Sequence, residues 1–224
     1  MIWHKVQGAG GTGGAAISFN YNGYNEVNSP DTTSYTFPSV NFDQSGTKIV
    51  VAVIMGSSAS LPSVSSVTIA GVSATLVTSQ SGFRWGAVYY AVVSASSGDL
   101  VINFTDTPNY IYASTTSIYG YASDTPAQAL ENYSNAETNG VSPTLSDVNN
   151  VSGNSLVIAA YHAGSVASST SDTWTGVSEV SSFYFSARTA QYTEAVSIEA
   201  SGTITATLSD GSVNRPILLG VVWK

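Results

Sequence analysis

The sequence predicts an all-β protein: an antiparallel, jelly-roll-like β-sandwich behind a Gly-rich N-terminal arm. Three observations predict it. Short stretches rich in β-branched and aromatic residues recur along the 224 residues, bounded by Gly, Pro, Asn, Asp and Ser. Apolar residues at helical spacing appear nowhere over a useful length. Turn-forming pairs punctuate the pattern at Asn22-Gly23, Ala70-Gly71 and Asp210-Gly211.

Taken in order, residues 1–16 read as an arm or tether. Trp3 and Val6 suit a short strand, and Gly8, Gly10, Gly11, Gly13 and Gly14 make the following stretch flexible. Residues 17–224 read as a single sandwich domain. Strands are expected at 16–20, 34–38, 47–55, 65–70, 73–79, 84–93, 99–105 and 110–119. Further strands are expected at 155–162, 177–181, 183–192, 203–208 and 216–223. Thr125 to Asn132 has room for one turn of helix.

The strands are of two kinds. Ile49–Met55, Leu156–Ala160 and Ile217–Leu219 are continuously apolar, which suits central strands covered on both faces. Leu100, Ile102 and Phe104 alternate with Val101, Asn103 and Thr105, and Ile204, Ala206 and Leu208 alternate with threonines. These suit strands with one wet face. The alternation repeats: Gly98 and Gly202 are each followed at +2, +4 and +6 by an apolar residue and at +8 by Asp. Ile49–Gly56 resembles Val157–Gly164, Tyr90 and Val93-Ser94 match Tyr192 and Val196-Ser197, and Ser117–Gly120 resembles Ile217–Gly220. Residues 47–121 and 154–223 therefore read as two pseudo-repeats, two Greek-key halves of one sandwich.

Composition removes several functions. There is no Cys, so disulfides, zinc-thiolate sites and Cys nucleophiles are excluded. Lys and Arg total 6 and are scattered, against 14 Asp and Glu. A phosphate-tracking surface needs clustered cations, so neither nucleic acid nor an anionic membrane surface is an expected partner. No apolar run approaches a membrane span, and the N-terminus lacks a positive region followed by an apolar one, so no signal peptide is expected. Only 9% of residues are charged, against about 25% in an average domain, so Ser, Thr, Asn and Tyr must cover the surface.

No arrangement announces catalysis. The glycines at 8–14 lack the Gly-Lys-Ser/Thr ending of a phosphate loop. His4 and His162 are the only histidines and have no second ligand at zinc spacing. No Gly-x-Ser-x-Gly elbow exists. Glu194 with Glu199, and Glu131 with Glu137, are the nearest approach to the paired carboxylates of a glycosidase, and solvated surface acids explain them equally well. Asp106, Asp147, Asp210, Asn149, Asn150 and Asn214 offer oxygens in loops, which leaves calcium open. Asx side chains in turns more often bond their own backbone. No cofactor and no catalytic residue is assigned.

Aromatic residues carry the binding expectation. Tyr21, Asn22, Tyr24 and Asn25 put two rings and two amides around Gly23. Tyr110 and Tyr112 alternate on one strand face, and Trp174 stands between threonines in a polar loop. Flat rings that stack on sugars beside amides that bond hydroxyls make a glycan contact; the same residues serve equally at a subunit interface.

These stretches also resemble a known group. After the Gly-rich arm come Tyr35-Thr36-Phe37-Pro38, Lys48–Val53, Ser66–Val72, Ala87–Tyr90 and Gly98–Ile102. Over roughly residues 30–223 this texture resembles β-sandwich proteins of tailed bacteriophages, such as head spikes, head fibres, capsid decorations and tail-fibre modules. The resemblance implies a non-enzymatic virion protein assembled in the host cytoplasm and displayed on the particle surface. It further implies a homo-oligomer contacting capsid or neighbouring subunits, with Trp3, His4 and Lys5 in the docking arm. Host glycans are a possible receptor. A free carbohydrate-binding module or lectin, or a tail-fibre receptor-binding protein, is the alternative, ahead of a polysaccharide-degrading enzyme.

Overall fold

The computed structural model describes residues 16–28, 32–57, 63–81, 84–133, 144–148, 155–164, 172–185, 190–198, 202–208 and 214–224. These residues are all-β, with antiparallel pairing throughout. The chain divides into two compact units, Met1–Asp124 and Thr125–Lys224.

The first unit holds β1 (Ser18–Asn28), β2 (Ser34–Asn41), β3 (Lys48–Ser57), β4 (Val64–Ile69), β5 (Val72–Ser73), β6 (Thr75–Gln80), β7 (Arg84–Val93), β8 (Ser97–Phe104) and β9 (Tyr110–Tyr119). They form a five-stranded sheet, β1-β9-β3-β7-β6, and a four-stranded sheet, β2-β8-β4-β5. Pairing is nested: β1 with β9, β2 with β8, β3 with β7 and β4 with β5, as in a long hairpin rolled up. Val50, Ala52, Ile54, Trp85 and Tyr89 from the larger sheet meet Phe37, Val67, Ile69, Leu100, Ile102 and Phe104 from the smaller one in a shared core. Period-two alternation produces this directly, since one face of each strand supplies every second residue. Trp85 and Phe104 meet edge-on, with ring centroids 5.4 Å apart.

Local backbone devices close the unit. Ala70 (φ 51°) and Gly71 (φ 78°) are consecutive left-handed residues, which is the demand of a two-residue turn between β4 and β5. Pro38 and Ser39 (φ 55°) interrupt the β2–β8 register, and the Ser39 N–H donates to Asp99 Oδ1 at 2.9 Å. Lys48 is buried, and its ammonium donates to the Gly46 and Ala95 carbonyls, both at 2.9 Å.

The second unit holds β10 (Gln128–Tyr133), β11 (Thr144–Val148), β12 (Leu156–Gly164), β13 (Asp172–Thr175), β14 (Glu179–Phe185), β15 (Ala190–Ile198), β16 (Gly202–Leu208) and β17 (Asn214–Trp223). Its sheets are β10-β17-β12-β15-β14 and β11-β16-β13. Val157, Ala159, Tyr161, Leu218 and Val222 pack with Leu145 and Ile204. Strand order repeats that of the first unit, with β10, β11, β12, β13, β14, β15, β16 and β17 standing for β1, β2, β3, β4, β6, β7, β8 and β9. A counterpart of β5 is absent among the described residues.

Expected as one sandwich over 17–224, the described residues instead make two units, each with two sheets and a core. The reason is strand supply. Each pseudo-repeat is preceded by two further strands, β1 and β2 in one unit and β10 and β11 in the other, and these extend both sheets of that unit. Two of them were not expected. The residues read as a helical turn, Thr125 to Asn132, lie largely in β10, whose six residues pair with Ile217–Val222 of β17. The expected strand 183–192 spans the end of β14 and the start of β15. The expected central strands are central: β3 and β12 are buried along their whole length.

Candidate functional site

β1 carries the sequence Ser-Phe-Asn-Tyr-Asn-Gly-Tyr-Asn-Glu-Val-Asn and is an edge strand beside β9. Asn22-Gly23 does not reverse the chain. It makes a bulge, where the register passes from Tyr21↔Thr116 to Gly23↔Thr115, with Gly23 at φ 101°. Residues three apart on a regular strand face opposite ways. The inserted residue cancels that, so Tyr21 and Tyr24 stand opposite Thr116 and Ser114, on one face of β9.

Tyr112 lies on the same face, opposite Glu26. The Tyr24 and Tyr112 rings stack, with centroids 5.2 Å apart and planes 23° apart. The Tyr21 and Tyr112 hydroxyls are 3.3 Å apart. Tyr112 is buried at 2% exposure while Tyr24 is 38% exposed, so Tyr24 offers the accessible ring and Tyr112 backs it. Tyr110, next on that face, is buried and accepts a hydrogen bond from the Arg84 guanidinium. Four of the expected contact residues therefore come together: Tyr21, Tyr24, Tyr110 and Tyr112.

The expected amides do not join them. Asn22, the bulged residue, turns to the other side and donates to Ser117 Oγ at 3.0 Å and Thr115 Oγ1 at 3.3 Å, while its own oxygen accepts from Asn20 at 2.9 Å. Its amide holds the bulge. Asn25 is exposed opposite Ala113, on the face away from Tyr24. Trp174 belongs to the other unit and lies in β13 rather than a loop. Its indole N–H donates to Thr193 Oγ1 at 2.9 Å and its ring packs on the core, which is a structural role. Trp3, His4 and Lys5 lie outside the described residues.

Sequence reasoning missed Glu26. Its position two residues after Tyr24 was the available signal, since i and i+2 share a strand face. Burial raises the Glu26 carboxyl above its ordinary range, and burial together with the Glu26 charge raises the Tyr24 hydroxyl. Burial also raises Tyr89, Tyr119 and Tyr121 above the ordinary 10.0. A raised folded-state value contributes stability that is complete below pH 10 and lost as pH rises through the raised value. Lys48 is lowered from 10.5 by burial and acts with opposite sign, regaining stability as pH rises from its lowered value to 10.5, beyond which only the tyrosine losses continue. Four tyrosines oppose one lysine, so thermal melts are expected to shift downward above pH 10. A melting temperature that holds or climbs there contradicts the assignment.

The remaining sequence candidates are placed as follows. His162 is buried and stacks on Tyr192, with centroids 4.3 Å apart. Glu194 is 1% exposed, so it is not the solvated surface acid the sequence suggested. Glu131 is exposed in β10, and Glu137 and Glu199 lie outside the described residues. Asp106 accepts from the Thr107 backbone N–H at 2.8 Å, the local bond of an Asx side chain. Asp147 begins no loop but lies in β11, and Asn214 opens β17. Asp210, Asn149 and Asn150 lie outside the described residues. No group of three His, Cys, Asp or Glu side chains suited to a metal occurs among the described residues, and no helix among them is long and apolar enough to cross a membrane.

No protein-family model matches the chain, and no curated protein or solved structure matches it.

Proposed function

We propose that the chain is a non-enzymatic structural protein displayed on a bacteriophage-like particle, where its first unit contacts surface glycans. One observation carries the reading: both units use the nested strand pairing of a rolled hairpin, β1·β9, β2·β8 and β3·β7 in one, β10·β17, β11·β16 and β12·β15 in the other. We read each unit as a jelly-roll-type sandwich, an architecture of capsid and lectin domains. The charge-poor, hydroxyl-rich composition and the virion-like strand texture support the same reading.

The glycan contact is assigned to the Tyr24 ring, with Glu26 as acceptor for sugar hydroxyls. One ring and one carboxylate make a weak contact, and display of many copies raises avidity by roughly 10²–10⁴. Co-sedimentation with particles purified from a lysate of the producing host tests display. The full chain is expected to pellet with the particles, and a chain lacking residues 1–14 to remain in the supernatant with an unchanged circular dichroism spectrum. A full chain that never associates with particles ends the display reading.

A free carbohydrate-binding module is the second reading, favoured by the Tyr24–Tyr112 stack. Array signal from a chain that never pellets with particles favours it. Tyr24→Ala is expected to abolish array signal and to lower the melting temperature by only a few degrees, the cost of the lost stack on Tyr112. Equal signal from both proteins removes Tyr24 from any sugar contact.

A further inference from the structure

The β1 bulge puts Tyr24 on the face of β9 that carries Tyr112, and Glu26 follows on that face, opposite Tyr112 itself. Residues two apart on a strand stand about 6.6 Å apart, so a sugar seated on the Tyr24 ring has Glu26 within reach of a substituent. Tyr24 is 38% exposed, and Glu26 is exposed beside it. The stack on Tyr112, 5.2 Å between centroids, orders the Tyr24 ring before any ligand arrives, which lowers the entropy lost on binding.

The negative charge at this place is uncompensated. Among the described residues Glu26 has neither an ion pair nor a hydrogen bond. Arg84 lies on the same face, across Ser57 from Tyr110, but it is buried and donates to the Tyr110 hydroxyl. Burial raises the Glu26 carboxyl with no attraction to offset it, and the Glu26 charge acts in turn on the Tyr24 hydroxyl. The chain as a whole carries −8. An anionic sugar, such as a uronate, is repelled both by Glu26 and by that net charge. A neutral sugar escapes the repulsion, but it covers a carboxylate and brings no charge against it. A sugar ammonium does two things at once. It is drawn to the negative face of the Tyr24 ring, and it donates charge-assisted hydrogen bonds to Glu26.

We propose that the sugar taken at Tyr24 is an amino sugar with a free, protonated amine, read by the Tyr24 ring and the Glu26 carboxylate together. This selectivity rests on the glycan contact assigned to Tyr24 and adds to it the charge of the ligand.

NMR titration of the full chain compares a short glucosamine oligomer with its N-acetylated counterpart, below the pKa of the sugar amine. The two share the ring that stacks and differ in charge. The amine form is expected to bind about tenfold tighter, the worth of a cation–π contact with a charge-assisted hydrogen bond. Glu26→Gln is expected to bring it down to the level of the acetylated form, whose own affinity is unchanged. Glu131→Gln, which removes an exposed acid from β10, is expected to leave both affinities alone, and so separates Glu26 from general attraction to an acidic chain. Equal affinity for the two oligomers overturns the amino-sugar assignment and leaves the glycan contact standing. A glucosamine preference that survives Glu26→Gln overturns it as well, as does oligolysine bound as tightly as the glucosamine oligomer. A chain that binds neither oligomer also overturns it; array signal from other sugars then keeps the glycan contact, and a silent array removes both.

Discussion

Gly56→Ala is expected to destabilise the first unit by about 3 kcal/mol, the upper end for overpacking a closed core. Gly56 sits in β3 opposite Trp85 of β7 and Ile111 of β9. A Cβ built there lies 2.5 Å from the Tyr110 carbonyl oxygen and 2.8 Å from Trp85 Cε2, with the indole ring closer still at another atom. The ring has some freedom to tilt, but the carbonyl belongs to the neighbouring backbone and does not. Gly220 offers the contrast. A Cβ there meets Leu145 Cδ1 at 2.5 Å, the end of a flexible side chain, with the next atom at 3.6 Å. Urea midpoints of Gly56→Ala and Gly220→Ala measure the difference, with the larger fall expected for Gly56→Ala. Equal midpoints mean that the β3–β9 backbone yields after all.

Trp85→Ala is the second large effect, expected at about 3–5 kcal/mol for a buried aromatic. The ring is 4% exposed, fills the space above Gly56 and meets Phe104 edge-on. Its indole N–H is buried without a hydrogen-bond partner, so that part of the side chain contributes little. Trp85→Phe keeps most of the ring packing and discards the orphan donor, so it is expected to cost well under half as much. The two sites share a contact, so their effects are coupled. Trp85→Ala combined with Gly56→Ala is expected to cost less than the two single losses added. It should still cost more than Trp85→Ala alone, because the Tyr110 carbonyl stays in place. Strict additivity in urea titrations would show that the ring and the glycine do not compete for space.

The sequence was legible where a strand has one wet face. Leu100, Ile102 and Phe104 of β8 face the core, as does Ile204 of β16, and the repeat read from Gly98 and Gly202 is in phase with the structure. Where strands are buried on both faces, the eye finds the wrong phase. Matching Ile49–Gly56 to Val157–Gly164 sets core-facing Val50, Ala52 and Ile54 against Ile158, Ala160 and His162. The core-facing residues of β12 are instead Val157, Ala159 and Tyr161. A slip of one residue inverts a strand, and a strand apolar on both sides leaves no trace of the slip. Ser117 matched to Ile217 fails the same way, since β17 turns Leu218 and Val222 to its core.

Pairing overrode local preference elsewhere. Ala-Gln-Ala-Leu-Glu favours helix, yet the ladder to β17 claims it, beginning with the Ala127 N–H to Val222 carbonyl bond at 2.7 Å. At the candidate site the tyrosines were readable from their spacing on β9. The amides were not, because a bulge and a tight turn look alike in Asn-Gly, and only the partner strand distinguishes them. Trp174 was misread because its polar neighbours are those of a short strand with a wet face, not those of a loop.

Lys48 has a practical corollary. Its amine is enclosed between two carbonyl groups. The other lysines are Lys5 and Lys224, each within a few residues of an end of this chain. Reagents that acylate amines will therefore spare Lys48 and mark the exposed Lys224. The protein can be tethered to a bead, a dye or a sensor chip through Lys224, with the Tyr24 side chain left chemically untouched.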